Sequence, residues 1–344
     1  MDKSDKIIVG ISIGDLNGIG LEVILKTFQD KRMLDFCTPV IFGSTKVVSY
    51  HKKALKSETP VHGITSLNQI NHNKINILNI WKEDVSVELG KATKESGEYA
   101  AKSLEAATTY LKEKKIDVLV TAPINKETIQ SDTFNFPGHT EYLEDKLEGK
   151  SLMILMTDAL RIGLITGHIP ISKVAETITS ALIKEKVGTM YASLVQDFGI
   201  NKPKIAVLSL NPHCGDKGVI GVEDDEIIKP TIDEIKESGK LVFGPYAADG
   251  FFGSETYKQF DGVLATYHDQ GLAPFKALSF GSGVNYTAGL SEIRTSPDHG
   301  TGFDIAGKNI ANASSFKEAL FTAIEIYKTR KEYKELTKSP LLVK

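Results

Sequence analysis

The chain has 344 residues, 41% of them hydrophobic, and a net charge of −3 from 41 Lys and Arg against 44 Asp and Glu. A chain this long buries a core without staples, and its balanced charge excludes both a disordered polyelectrolyte and a basic nucleic-acid-binding surface. Its two cysteines, Cys37 and Cys214, lie far apart and outside CxxC spacing, which excludes a disulfide framework and a thiolate zinc site.

The first apolar run, near residues 7–13, is too short and too soon broken by Gly and Asp for an export signal. No run reaches the ~20 apolar residues of a membrane span, so the expected location is cytoplasmic. From there, short apolar runs alternate with amphipathic stretches, the pattern of strands crossing over through helices into a mainly parallel sheet. Strands are expected over residues 7–13, 39–42, 75–78, 117–121, 152–156, 161–165, 204–210 and 262–265. Helices are expected over 21–28, 44–54, 95–113, 143–147, 171–198, 224–238, 250–259 and 316–335. In the third of these, Ala100, Leu104, Ala107 and Leu111 recur at helical spacing as a core-facing stripe. Boundaries are expected at 131–140 and in the Gly-rich stretch 271–289. They give an α/β protein of two lobes, 1–130 with 290–344 and 131–289, the C-terminus returning to the first.

Several expected strands end in a reactive side chain: one runs into Lys126, and others into Thr166-Gly167-His168, Asn211-Pro212-His213 and Thr266-Tyr267-His268-Asp269. Ligands of open parallel sheets bind beyond the carboxyl ends of the strands, so three histidines 45 and 55 residues apart can converge there. Three neutral imidazoles suit a divalent transition metal and leave positions open for substrate, with Asp249 or Asp269 beside it. Each histidine taken singly also reads as an ordinary hydrogen-bonded turn residue.

Two glycine-rich stretches carry weaker signals. The stretch around Gly14, Asp15 and Gly18 has GxxxGxG rather than GxGxxG spacing, and reads equally as an anion-binding loop or a plain turn. The stretch Gly302 to Asn309 reads GxxxxGK and then lacks the hydroxyl residue of a P-loop, which excludes a P-loop ATPase. A cationic and polar set, His139, Thr140, Lys276, Asn285 and Arg294, suits a phosphate or carboxylate.

With these residues in place, the sequence resembles the 4-hydroxythreonine-4-phosphate dehydrogenase family of the isocitrate/isopropylmalate dehydrogenase-like group. The matching blocks are GDLNGIGLE, TAPINK, PGHTEYL, TGHIP, LNPHCGD, GPYAADGFF, TYHDQGLAPFK and RTSPDHGTGFDIAGKNIAN, in order from about residue 8 to 313. The resemblance implies a two-lobed, three-layer αβα fold with a mainly parallel sheet and an active-site cleft between the lobes. It implies His168, His213 and His268 as metal ligands drawn from both subunits of a homodimer, and His139, Thr140, Lys276, Asn285 and Arg294 as substrate ligands. The cofactor side, by the same resemblance, comprises Gly14, Asp15, Gly18, His299, Gly300, Asp304, Asn309 and Asn312. The first loop reads GDLNGIGLE where the family usually has GDPAGIGPE, so both prolines are absent.

The implied activity is NAD- or NADP-dependent oxidation of 4-phosphooxy-L-threonine at C3 and decarboxylation to 3-amino-2-oxopropyl phosphate, in vitamin B6 biosynthesis. The cation would be zinc, alternatively cobalt, nickel, manganese or magnesium, and Lys126, His139 and Asp269 are candidates for the base. Dehydrogenases of D-threonate or D-erythronate 4-phosphate are the nearer alternative and a phosphate acyltransferase the more distant one. His51, His62 and His72 are expected to be surface or structural residues.

Overall fold

The structure is a computed structural model that describes residues 6–132, 134–279 and 281–338. Residues 1–5, Thr133, Phe280 and 339–344, which the expected lobes also include, lie outside the described residues. The chain begins with β1 (Ile8–Ser12), α1 (Gly20–Thr27), α2 (Met33–Phe36), β2 (Thr38–Gly43), α3 (Thr45–Ala54), β3 (Val61–Ile64) and β4 (Ile75–Asn79). It continues through α4 (Lys94–Lys112), β5 (Val118–Thr121), α5 (His139–Lys146), β6 (Gly149–Thr157), β7 (Leu160–Leu164), α6 (Val174–Thr177), α7 (Ser180–Gln196) and β8 (Lys204–Leu208). The remainder is α8 (Lys229–Glu237), β9 (Leu241–Tyr246), α9 (Ala248–Gly253), β10 (Gly262–Ala265), α10 (His268–Ser279), β11 (Val284–Leu290), β12 (Arg294–Pro297) and α11 (Ser314–Thr337).

Two compact units emerge: one takes in residues up to Glu148 and Ser291–Glu325, the other Gly149–Leu290 and the chain from Ile326. The expectation placed the first change of lobe near residue 130 and returned the whole C-terminus to the first lobe, whereas the structure keeps 131–148 in the first unit and puts the chain from Ile326 in the second, where Arg330 meets Asp197. Segment 131–148 is tied back through Tyr142 of α5, whose hydroxyl reaches Thr108 on α4 and whose ring stacks on Phe134 at 5.1 Å and meets Phe136 at 5.5 Å.

In the first unit the strands pair in the order β3-β4-β2-β1-β5-β12, every pair parallel. Central strands of such a sheet are covered on both faces, which is why β1 and β2 read as near-continuous apolar runs and are almost wholly buried. Helix α4 starts where the Thr93 hydroxyl accepts the Ser96 N–H, and its stripe Ala100, Leu104, Ala107 and Leu111 is buried as expected. On the same face, the Ser103 hydroxyl accepts the Ile13 N–H and donates to Phe42 O, tying α4 to the carboxyl ends of β1 and β2.

His51 is structural: fully buried on α3, it meets Leu16 O through Nε2 at 2.8 Å. Because a carbonyl only accepts, Nε2 carries the proton, and burial pushes the imidazole pKa down to about 4.

The second unit orders its strands β11-β6-β7-β10-β8-β9, with β11, β6 and β7 antiparallel in turn and the rest parallel. Helices cover both faces. Added to Gly271 of α10, a Cβ would meet Ile162 and Leu164; added to Gly163 it would meet Met190 of α7. Successive residues of β7 point to opposite faces, so α10 and α7 lie on opposite sides. The expected helix 171–198 is broken into a 3-10 turn at Ile171–Lys173, then α6 and α7, because the Thr179 hydroxyl accepts the Leu182 N–H and starts a new helix. The expected boundary stretch 271–289 instead carries most of α10 and β11.

A buried ion pair fastens the last helix to this unit. Arg330 Nε donates to Asp197 Oδ1 at 2.7 Å, Nη2 to the Tyr286 hydroxyl at 2.9 Å and Nη1 to Leu290 O at 3.3 Å. The Tyr286 and Ser193 hydroxyls in turn both donate to Asp197 Oδ2. Removing one partner strands the other's charge in the core. Arg330→Ala is therefore expected to cost about 3–5 kcal/mol in urea unfolding.

A second expectation concerns pH. The unfolded His51, with an ordinary pKa near 6.5, takes up a proton before the folded one at about 4. Stability is therefore fully present above pH 6.5, falls as pH drops toward 4 by about 3 kcal/mol, and then levels off. Urea unfolding at stepped pH should show this decline for the native chain and a shallower one for His51→Gln.

Candidate active site

Each unit gathers one cluster of expected site residues. In the first, β5 ends at Thr121 and runs into Ala122-Pro123-Ile124-Asn125-Lys126, where Asn125 Oδ1 accepts the N–H groups of Glu127 and Thr128 and turns the chain. Arg294 on the neighbouring β12 is fully buried, and its Nε and Nη2 donate to Thr121 Oγ1 at 3.1 and 2.6 Å. Burial pulls the guanidinium pKa down to about 9 against the pull of the Glu141 carboxylate, which leaves it charged at neutral pH.

His139 opens α5. Its Nε2 is closed off from solvent and has no hydrogen-bond partner. Burial first, then the charges of Arg294 and Lys126, hold its pKa well below the ordinary 6.5, so the ring is neutral. Thr140 follows it on the first turn, half-buried. The structure thus brings Lys126, His139 and Arg294 together around one cationic spot that suits an anion.

The first loop does something different. Gly14 has φ +68°, and a Cβ there would stand 2.2 Å from Pro123 O. Asp15 N donates to Pro123 O, Asn17 N to Asp15 Oδ1, Gly18 N to Asp15 O and Ile19 N to Thr301 O. Asp15 is buried, with Ser96 and Thr128 hydroxyls on its carboxylate, and burial raises its pKa. These N–H donors are therefore engaged within the protein, and Gly14, Asp15 and Gly18 support neighbouring segments.

Further along this unit, His299 Nδ1 lies 3.0 Å from Gly300 O and must donate to it, so Nε2 is the acceptor. That atom is buried and without a hydrogen-bond partner, a fit for a hydroxyl or amide donor of a nucleotide. Asp304 is exposed, the Asn309 carbonyl accepts from Lys26, and Asn312 Oδ1 accepts the Ser314 N–H.

In the second unit, β7 and β10 run parallel and their pairing continues past both strands through Ile165 N to Ala265 O and Thr166 N to Thr266 O. This sets His168 and His268 side by side, ring centroids 5.4 Å apart. His268 Nδ1 lies 2.6 Å from Asp269 Oδ1, which engages one nitrogen and leaves Nε2 able to serve as a metal ligand. Gln270, missed in the sequence, accepts the Thr266 N–H and hydroxyl and donates to Ser209 O, joining the ends of β10 and β8. A cleft of about 430 Å³ opens here, lined by His168, His268, Asp269, Tyr267, Ile169 and Ile171 among others.

His213 stands apart from this pair. Asn211 is held by Asp224 and Glu223, and the turn at Pro212–Asp216 then puts His213 at φ 53° and Cys214 at φ 55°. Among the described residues, no three His, Cys, Asp or Glu side chains gather tightly enough for one ion. Asp249 on α9 is exposed. Lys276 is exposed on α10, while Asn285 on β11 has a buried Oδ1 with no hydrogen-bond partner.

Comparison with known proteins places the chain in a family. The family model described as pyridoxal phosphate biosynthetic protein PdxA matches residues 35–323. A 4-hydroxythreonine-4-phosphate dehydrogenase of Bacteroides thetaiotaomicron is 52% identical over 341 residues, 98% of this chain and 94% of the relative. The D-threonate 4-phosphate dehydrogenase of Cupriavidus necator is 35% identical over 324 residues, 93% of this chain and 97% of the relative. A crystal structure of 4-hydroxythreonine-4-phosphate dehydrogenase from Klebsiella pneumoniae superposes with a TM-score of 0.80 at 30% identity, covering 95% of this chain and 99% of the other.

Fold and site together define an α/β enzyme of the dehydrogenase class. More narrowly, the chain belongs to the PdxA family of pyridoxal phosphate biosynthetic proteins. Among the described residues no helix is long and apolar enough to cross a membrane.

The buried Arg294 gives a stability test. Thr121→Val removes the acceptor of two N–H donors and should cost about 1–3 kcal/mol in urea unfolding, whereas Thr121→Ser keeps the oxygen and most of the stability.

Proposed function

We propose that the chain is a metal-dependent, NAD(P)-linked decarboxylating dehydrogenase. It oxidises 4-phosphooxy-L-threonine at C3 and releases CO₂ to give 3-amino-2-oxopropyl phosphate for pyridoxal 5'-phosphate synthesis, as a cytoplasmic homodimer. The observation that carries this reading is the His168–His268 pair with Asp269 on the far nitrogen.

When bound, the divalent cation, zinc or alternatively cobalt, nickel, manganese or magnesium, supplies a Lewis acid that acidifies the C3 hydroxyl, and NAD or NADP supplies the hydride acceptor. His168 and His268 hold the cation from one copy, and His213 from a second copy completes the set. Asp269, spent on orienting His268, leaves Lys126 and His139 as base candidates. Arg294 and Lys276 offer cationic anchors for phosphate, and Thr140, Asn285 and the neutral His139 offer directed hydrogen bonds to the rest of the substrate. On the nucleotide side, His299 Nε2 is the acceptor, with Gly300, Asp304, Asn309 and Asn312 along the same segment.

Two measurements test this. NAD(P) reduction is expected with 4-phosphooxythreonine; turnover only of D-threonate or D-erythronate 4-phosphate would replace the substrate assignment. His168→Ala and His213→Ala should each lose activity by more than about a hundredfold while keeping the native circular dichroism. If the ligands come from two copies, subunit exchange between the two variants regenerates one intact site in each mixed dimer, and activity returns to about a quarter of native. No recovery would place all ligands in one copy.

A further inference from the structure

A buried carboxylate that takes no part in the proposed chemistry holds the nucleotide-side segment. Glu22 on α1 is 1% exposed, in a place where an apolar side chain would cost less. Its Oε1 accepts the Ala311 N–H at 2.8 Å and Lys26 Nζ at 2.9 Å. Lys26, one helical turn on, also donates to Asn309 O at 3.0 Å and Ala311 O at 2.9 Å, so its three N–H groups are all engaged. The pair thus grips the main chain at 309 and 311 on either side of Ile310.

That grip matters because the segment has no helix or strand of its own. Residues 303–309 form only turns, Asn309 sits at φ +59° and Ile310 is 64% exposed. Other ties are the Ile19 N–H to Thr301 O, Asn309 Nδ2 to Leu55 O at 3.4 Å, Ile19 packed where Gly302 lacks a Cβ, Leu89 likewise at Gly307, and Gly90 against Phe303 O. A half-buried ion pair contributes little net stability, so its value lies in fixing one backbone arrangement.

We propose that Glu22 and Lys26 are positioning residues, a latch that holds residues 299–312 in the shape that receives the pyridine nucleotide. The inference rests on the nucleotide reading given above. It assigns no direct contact to either side chain: they act through the carbonyls and N–H they hold.

The test uses the full-length enzyme with Lys26→Met, which keeps the aliphatic stem, Glu22→Gln, which keeps the shape, and Lys26→Arg as the conservative rescue. The readouts are the Kd for NAD and NADP by titration, KM against kcat for both substrates, and amide hydrogen exchange across 299–312. Lys26→Met and Glu22→Gln should raise the nucleotide Kd and KM about tenfold, with kcat and the KM for the phosphorylated substrate within about twofold. Exchange at Ala311 and its neighbours should speed up, and Lys26→Arg should restore most of both. Unchanged nucleotide affinity in folded variants overturns the latch while native turnover keeps the dehydrogenase reading intact. Unchanged exchange with weakened binding also overturns it, and a native enzyme that binds neither nucleotide overturns both.

Discussion

Neighbouring strands in a parallel sheet end at the same edge, so whatever follows them in sequence is delivered side by side. Ser12 pairs with Thr121 at the ends of β1 and β5, and directly beyond them the Gly14 loop is pressed against Pro123. Leu164 pairs with Ala265 at the ends of β7 and β10, and His168 and His268 follow within four residues of each. Without that shared direction, imidazoles 100 residues apart would have no reason to meet. The side-chain bonds near these ends, such as Gln270 to Ser209 O and Thr166 to Thr266 O, fix the level at which each reactive group emerges.

Charge is handled in two opposite ways. In the second unit the Arg330 guanidinium is neutralised by Asp197 and its hydrogen bonds are shared with Tyr286, a closed network with nothing left to offer a ligand. In the first unit Arg294 is as deeply buried but meets Thr121 through a neutral hydroxyl, with the Glu141 carboxylate as the opposing charge. Its field is felt at His139, which is held neutral beside it. One guanidinium is thus tied to a carboxylate and a phenol, the other to a threonine hydroxyl beside a buried imidazole whose Nε2 has no hydrogen-bond partner.

The strands were legible because both-face burial writes itself as apolar runs: all eight expected strands are present. The other four carry no continuous buried apolar run: β3 and β9 are only partly buried, and β11 and β12 are interrupted by Asn, Thr, Arg and Ser. Helix α10 was hidden for a similar reason. Gly271 and Pro274 read as a linker, yet Gly271 is where the helix lies against β7. The reactive histidines announced themselves by following strand ends. Thr121, Gln270 and Glu141 did not, since a hydroxyl, an amide or a helix carboxylate is common everywhere and gains meaning only from its neighbour. The left-handed turn at His213 has no sequence mark either, because its residues are not glycine except Gly215 and Gly218.

The first loop shows how a sequence departure is absorbed. GDLNGIGLE lacks the two prolines of the usual GDPAGIGPE, and proline would stiffen the chain by fixing φ. Here the stiffness comes from side chains instead. Asn17, wholly buried where the usual pattern has Ala, donates to Lys91 O and Thr93 Oγ1 and accepts the Glu88 N–H. The carbonyl of Leu16, in the place of the first proline, accepts from His51. These bonds link the loop to 88–93 and to α3, and residues 88–93 in turn pack against the segment around Phe303 and Gly307. The loop is thus a buried hub. Its rigidity depends on hydrogen bonds to segments 35 to 76 residues distant, so replacing either proline-site residue alone would not reproduce the local stiffness without those partners.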